Sequence, residues 1–500
     1  MHLWSEASVR GTRSWVVLAA AIALLFGLLL GGLASVSLTA ALGLSGVVLL
    51  VSAIAVDLSG LALAVLVFAV GVPATTGALN IPLGIARPSL QLLLPLAVAV
   101  AAVMTAPTEA LEQLLYRLRH GASGMLLLWV LSALAFFAYG AMEHGVSAAG
   151  YDLMVLSLYV WVIVPLLLFG RPDELSLLLR AIVLAMAISA CIALLLFAAP
   201  GLRHLFLSEP LDVITNRVGF GAADVFIVGL PVCLILLSRE GIGGKDRLAL
   251  LLCSVLMVAA IAVAQNRVLM VTIILNVALV FVAPRLWKGG LRRWRLVEQA
   301  TLAVVVLVAL FAAMVWLGPE SSRSLPTVLA QRLAETLSYQ QVNTFQTREY
   351  TNAVAYERWR ADTRTLLFGE GLGARFVYIN PVTRRPATDP GPFIDSVWMS
   401  LAVKGGLVLL ALWALALVAC FASLIRAARR SQGTAEGSIW LTSALCFPAF
   451  VFATTAMTHH LVSKEAVVVA FVTIVAAADL SALNRPNGSQ PEPTARPEVT

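Results

Sequence analysis

Charge is what this sequence has least of. Asp, Glu, Lys and Arg make up 12% of its 500 residues, where a soluble domain carries about 25%. That shortage excludes a water-soluble globular enzyme, and no nucleic acid is expected among the partners. Cysteine is also sparse. Cys191, Cys233, Cys253, Cys420 and Cys446 all lie in apolar stretches without C-x-x-C spacing, which excludes a disulfide framework or a cysteine metal site. No repeat of ~20–50 residues is visible and no inverted pair of halves stands out, so neither a solenoid nor an inverted-repeat transporter is indicated. What fills the chain instead is apolar: 60% of residues are hydrophobic, with a mean hydropathy of +0.92. Apolar runs of ~18 residues or more read as membrane spans.

The chain therefore predicts an all-α, polytopic membrane helix bundle of about 12–14 transmembrane helices with one large, partly helical periplasmic loop. Residues 1–14 form a short basic leader with Arg10 and Arg13. Residues 15–317 hold about 11 spans, at 15–33, 39–56, 59–76, 89–106, 123–141, 152–170, 177–199, 218–238, 248–264, 268–284 and 299–317. Residues 318–394 form the loop, and three more spans follow within 395–483, at 395–425, 438–457 and 464–483. The tail 484–500, rich in Pro, Glu and Ser, reads as disordered. Pro165, Pro231 and Pro448 lie inside spans and predict kinks. Basic residues crowd four short connections: Arg117 and Arg119; Arg239, Lys245 and Arg247; Arg285 to Arg295; and Arg426, Arg429 and Arg430. With 14 spans all four share the side of the N-terminus, so the positive-inside rule makes both termini cytoplasmic and the loop external.

Few polar residues interrupt this pattern, and each has two readings. Arg217, in Thr215-Asn216-Arg217, stands at the mouth of a span, and Arg267 lies in the three-residue break Gln265-Asn266-Arg267. A guanidinium near membrane depth is a functional-site hypothesis by default; the plainer reading is snorkelling, or for Arg217 a pairing with Asp224. In the loop, Arg348, Asn352, Tyr356 and Trp359 recur at helical spacing and share a face. An arginine beside amide and aromatic groups suits a phosphate flanked by sugar rings, and an interfacial amphipathic helix would show the same stripe. Gly369, Gly371 and Gly373 permit a tight turn with positive φ and exposed amides. Asp395 stands where loop becomes helix, either as an N-cap or as a general base or orienter for an acceptor hydroxyl. His459 and His460 lie in an external turn with few companions for a metal site, and read as interfacial.

The stretch from Arg348 to Leu407 resembles the O-antigen ligase / O-antigen polymerase superfamily of bacterial, polyprenyl-diphosphate-dependent membrane glycosyltransferases. That family has a large periplasmic loop ending in a G-x-G-x-G turn, followed by a His-Asn or Asp-Asn pair ahead of a Gly-Leu in the next span. Here Gly369-Glu370-Gly371-Leu372-Gly373 is the turn, and Asp395-Ser396 stand on the pair's positions, eleven residues before Gly406-Leu407. Ser396 departs from the family's Asn, and Asn266-Arg267-Val268 departs from its S-R-G-like context. Many ligases of the family carry His where Asp395 stands, and Asp occurs in polymerase-like relatives.

The resemblance implies an enzyme that polymerises, or ligates, polyprenyl-diphosphate-linked oligosaccharide units in a surface or exopolysaccharide pathway, with inversion at the anomeric carbon. It places the protein in the bacterial inner membrane, with membrane lipid and other polysaccharide-assembly proteins as further partners. Diphosphate is a good leaving group once its charge is neutralised, and arginine forks do this without a metal, so no cofactor and no metal are expected. Arg217, Arg267 and Arg348 are the expected diphosphate ligands, Asp395 the catalytic residue, and Asn352, Tyr356 and Trp359 possible sugar contacts. The alternatives are an O-antigen ligase with a lipid or protein acceptor and, in another class, a polysaccharide or lipid transporter or flippase. A transporter gives no reason for a 77-residue external loop, 318–394, with an arginine-led helix.

Overall fold

The structure, a computed structural model, describes residues 58–72, 90–199, 221–237, 243–264, 266–282, 343–379, 386–388, 394, 396–458 and 460–483. The leader, the spans expected at 15–33, 39–56 and 299–317, the tail, Arg217, Asp395 and His459 lie outside them, as does the side chain of Arg267. The described chain is helical apart from one ribbon. Its helices are α1 (Leu58–Gly71), α2 (Leu90–Thr105), α3 (Thr108–His120), α4 (Ala122–His144), α5 (Val146–Leu156), α6 (Ile163–Leu168), α7 (Pro172–Ala198), α8 (Phe226–Leu237), α9 (Gly244–Ala264) and α10 (Arg267–Val282). There follow α11 (Asn343–Trp359), α12 (Thr363–Phe368), α13 (Val397–Arg430), α14 (Ala435–Val451), α15 (His460–Ser463) and α16 (Glu465–Leu483). The ribbon pairs β1 (Val377–Ile379) antiparallel with β2 (Pro386–Thr388), Val377 opposite Thr388.

Seven helical stretches are long and apolar enough to cross a membrane: 122–144, 146–168, 174–198, 244–264, 397–430, 435–456 and 465–483. Four shorter apolar helices lie at 58–71, 91–105, 222–237 and 268–279. These eleven coincide with eleven of the expected spans, and the protein is a multi-pass helical membrane bundle. Its outer face carries exposed Val100, Leu131, Leu195, Leu252, Ile274, Leu415 and Val418. In water such a belt would drive aggregation, whereas in hydrocarbon it is the ordinary solvent-facing surface.

α16 is the axis. It is apolar on every side, which is the pattern of a fully enclosed helix, and nearly all of its residues from Ala466 to Ala482 are buried. It packs against α13, α1, α7, α4 and the 3₁₀ segment Ser157–Val162. Around its middle, Trp129, Tyr159 and Trp413 form a fully buried aromatic cluster with ring centroids 4.5–5.9 Å apart, and Phe471 of α16 adjoins Tyr159 at 6.4 Å.

Two local readings are corrected. The connection carrying Arg117 and Arg119 is not a loop but the amphipathic helix α3, whose Leu114 is buried and whose Arg426-facing end reaches α13 through the His120 carbonyl at 3.2 Å. Arg117 donates to the Leu166 carbonyl, and burial holds its guanidinium below the usual arginine range. The span expected at 152–170 begins earlier, at Val146, and is α helix, then 3₁₀, then α6. Pro165 stands just past the 3₁₀ turn; having no N–H and crowding the carbonyl four residues back, it disfavours a continuous α ladder there. Pro448 likewise precedes a π-helix, Phe452–Ala456, at the end of α14.

One end of the bundle gathers α3, the last turn of α13 and the last turn of α16. There the buried carboxylate of Asp479 accepts from the Ala122 and Ser123 amides at 3.0 and 2.8 Å and from the Ser123 and Ser423 hydroxyls at 2.6 and 2.5 Å. It thus caps α4 from another helix and sets a negative charge on that helix's positive end. A Cβ at Gly121 would stand 2.5 Å from this carboxylate, so the entry to α4 needs glycine. The polar residues 343–379 and 386–388 belong to the opposite end.

Candidate active site at the loop end of the bundle

α11 lies on the start of α13. Its buried positions, Thr351 and Ala355, are four residues apart and so share a face. Ala355 forms a small core with Phe376, Ile394 and Val403, against which Trp359 and Met399 pack. The Trp359 indole donates to the Leu366 carbonyl at 3.0 Å, so this ring is spent on packing. Arg348 and Asn352 are half-buried, and Tyr356 is exposed with the Arg360 guanidinium 5.0 Å from its ring centre. Of the expected stripe, Trp359 turns into the docked face. Asp362 caps α12; the Thr365 amide and hydroxyl that it accepts, both at 2.9 Å, hold its carboxyl below the usual range.

The glycine turn has positive φ at Gly369 (69°), Gly371 (93°) and Gly373 (94°). Its amides are not exposed, contrary to the expectation. Gly369 N–H donates to the Thr365 carbonyl (2.9 Å), Glu370 to Val403 (2.7 Å), Gly371 to Lys404 (3.0 Å), Leu372 to Phe136 (3.1 Å) and Gly373 to Asp152 Oδ2 (2.6 Å). The reason lies in α13. Gly406 is non-helical (φ 60°, ψ −161°), and this break frees the Val403 and Lys404 carbonyls from the helical ladder to receive the turn. Approach is at backbone contact. A Cβ on Gly406 would stand 2.3 Å from the Leu367 carbonyl, and one on Gly371 would stand 2.5 Å from the Gly140 Cα. The turn is a plug in a broken helix rather than a phosphate cradle.

Charge locks the plug. Asp152 and Lys404 are both fully buried, with Lys404 Nζ donating to Asp152 Oδ2 at 2.5 Å and to the Ala374 carbonyl at 2.9 Å. Arg375 Nη1 donates to Asp152 Oδ1 at 3.0 Å and Nη2 to the Ala148 carbonyl at 3.3 Å. On the outer side Arg358 forks onto the Glu370 carboxylate, Nε to Oε1 at 2.5 Å, and donates to the Arg375 carbonyl at 2.6 Å. His144 Nε2 meets the Glu370 carbonyl at 2.9 Å. None of Asp152, Arg358, Glu370, Arg375 and Lys404 was singled out from the sequence. The signal was there for two of them: Asp152 and Lys404 are isolated charges inside apolar spans.

At the junction with α13, Ser396 rather than Asp395 is the N-cap. Its hydroxyl accepts from the Met399 amide at 3.4 Å, and the Ile394 amide beside it donates to Ser400 Oγ at 3.0 Å. The capping role considered for Asp395 is therefore filled one residue later. Asn266 accepts from the Leu269 amide at 3.3 Å, so Arg267 is the first residue of α10. α10 touches the π-helix, which is tied to the start of α13 by Trp398 Nε1 donating to Thr455 Oγ1 at 3.0 Å. Asp224 pairs with His460. The structure thus brings Arg348, the glycine turn, the flanks of Asp395 and the first residue of α10 to one end. No three His, Cys, Asp or Glu side chains stand together as metal ligands among the described residues. No protein-family model matches the chain, and no curated protein is significantly similar to it.

Proposed function

We propose that the protein is a membrane glycosyltransferase that polymerises polyprenyl-diphosphate-linked oligosaccharide units at the periplasmic face of a bacterial inner membrane. The observation that carries this reading is the plug. Broken α13, the glycine turn and the Asp152–Lys404–Arg375 cluster fix α11, which carries Arg348, against the start of α13. A carrier lipid in the bilayer can present its diphosphate only at such a membrane-level surface, and arginine is the side chain suited to grip it bidentately. Arg348, with Arg217 and Arg267, takes the diphosphate in this scheme; Asn352 and Tyr356 contact sugar, and Asp395 holds the acceptor hydroxyl. The acceptor oxygen attacks the anomeric carbon, its proton passes to a base, and the electron pair of the broken bond leaves on the diphosphate.

The test is transfer by the purified protein, given polyprenyl-diphosphate oligosaccharide from the producing cells, with and without a chelator. Glycan chains that lengthen equally in both are expected. A strict divalent-metal requirement would overturn the metal-free scheme. Transfer of a single finished glycan to a lipid would favour the ligase alternative, and no transfer would sink the reading.

A further inference from the structure

At the basic end of the bundle a groove of about 380 Å³ lies in the corner between α3 and α4. Small-molecule sites occupy ~300–1,000 Å³. Leu118 and Arg119 of α3 line one side; Met125, Leu128 and Leu131 of α4, three residues apart and so on one face, line the other. Gly124 keeps the corner tight, since a Cβ there would stand 1.9 Å from the Leu118 carbonyl oxygen. Leu128 and Leu131 are 48% and 53% exposed, so the apolar wall opens sideways out of a helix long enough to cross a membrane. Arg119 is the one charge among the described lining residues. It is exposed, and no described residue bonds or pairs with its guanidinium. Arg117, two residues earlier, is by contrast turned inward onto the Leu166 carbonyl. Glu112 stands on the Arg119 face of α3 but two turns back, about 10 Å along the axis. Asp479, against Gly121, is buried and already accepts four hydrogen bonds.

We propose that this groove holds one anionic phospholipid of the bilayer, an acyl chain along Met125, Leu128 and Leu131 and its phosphate gripped by Arg119. The inference is independent of the reaction proposed above. Arginine takes phosphate through paired N–H donors, and basic pockets between membrane helices bind acidic lipid headgroups. A free anion would leave the apolar wall unused, and a zwitterionic lipid would bring its own ammonium toward the guanidinium. The spans expected at 15–33, 39–56 and 299–317, outside the described residues, contain no Asp or Glu to offer Arg119 a counter-charge. Arg426 brings a second guanidinium to the end of α3 by donating to the His120 carbonyl at 3.2 Å, which deepens the positive field at the headgroup level. The bound lipid bridges α3 to α4 beside the Asp479 cap, so it stabilises the corner from which α4 starts.

The experiment uses the full-length protein, stripped of lipid in detergent and taken from the monodisperse fraction. Phosphatidylglycerol, phosphatidylethanolamine and inorganic phosphate are added in separate arms, with bound lipid counted by native mass spectrometry and the thermal midpoint followed. One phosphatidylglycerol should bind saturably and raise the midpoint, more than phosphatidylethanolamine does and with inorganic phosphate giving no rise. Arg119→Gln should weaken phosphatidylglycerol about five- to tenfold and leave phosphatidylethanolamine unchanged. Leu128→Trp, which fills the groove from its exposed wall, should remove the bound lipid without lowering the midpoint of the lipid-free protein. Arg429→Gln is the control, an exposed cation at the same end outside the groove, and should bind phosphatidylglycerol as the parent does. Equal weakening in Arg119→Gln and Arg429→Gln would reduce the effect to diffuse surface charge and overturn the proposal. So would undiminished binding in Leu128→Trp, or an equal rise with inorganic phosphate. A photo-reactive side chain at Leu131 should label lipid; labelling of residues 15–33, 39–56 or 299–317 in its place would show that another span of the chain fills the groove, and would overturn the proposal as well.

Discussion

At the scale of single residues, Asp152 does more than any other side chain to hold the polar segment in place, because it answers two cations and one amide at once. Asp152→Asn leaves Lys404 buried without its counter-charge, and breaking a buried pair from one side costs about 3–5 kcal/mol. We expect a large loss of thermal stability in detergent. Asp152→Leu with Lys404→Met should recover much of that loss, since apolar replacement of a buried pair is often neutral. It should not restore docking of the glycine turn, because the Gly373 amide and Arg375 still lack their acceptor. Thermal midpoint and protease cleavage within 343–379 measure the two effects separately; recovery of both would show that the cluster does not fasten the segment. None of this pairing was legible in the sequence. Each charge was visible as an anomaly in an apolar run, but 252 residues separate Asp152 from Lys404, and one sequence does not say which distant groups meet.

At the scale of elements, most of what was readable came from length and hydrophobicity. α4, α7, α9, α14 and α16 announce themselves because hydrocarbon demands a continuous internal hydrogen-bond ladder and an apolar surface. α3 was overlooked although Leu111, Leu114 and Leu118 recur at helical spacing, because its charges mark it as a connection and its packed face is one turn wide. The break in α13 was not legible either. Gly405-Gly406 inside a span is compatible with a straight helix, and only the arriving turn makes use of the break. Gly406→Ala tests that coupling. A non-glycine residue at φ 60° costs on the order of 1–3 kcal/mol, and here its Cβ would also strike Leu367. The open population of the turn should rise by about one to two orders of magnitude, and tryptic cleavage at Arg364 and Arg375 should accelerate in step. Gly433→Ala is the control, being strained at φ 85° but with open space around it and at the other end of the bundle. Equal cleavage in Gly406→Ala and the parent would separate the turn from the kink.

At the scale of the whole molecule, the two ends differ in chemistry. One collects Arg117, Arg119, Arg426, Arg429 and Arg430 around the Asp479 cap; the other collects the polar segment, the π-helix and the Asp224–His460 pair. The charge rule assigns the basic end to the cytoplasm. Reporters fused within 426–434 and within 360–364 should therefore read on opposite sides of the membrane, the second one external. Both on the same side would invalidate the orientation and the placement of the site.

The central position of α16 bears on the order in which the protein is made. α4 is complete by residue 144, yet the carboxylate that caps it is residue 479, and the helix that fills the middle of the bundle ends at residue 483. At a synthesis rate of ~5–20 residues per second, the early helices wait roughly 20–70 s for that partner. Throughout that interval the first amides of α4 lack their carboxylate and the central slot lies open to lipid. Lipid tails do not drive helices together as water would, so nothing closes the slot early. A ribosome that stops before Glu465 therefore releases a chain without its central helix, and assembly of this protein is a single late event rather than a gradual one.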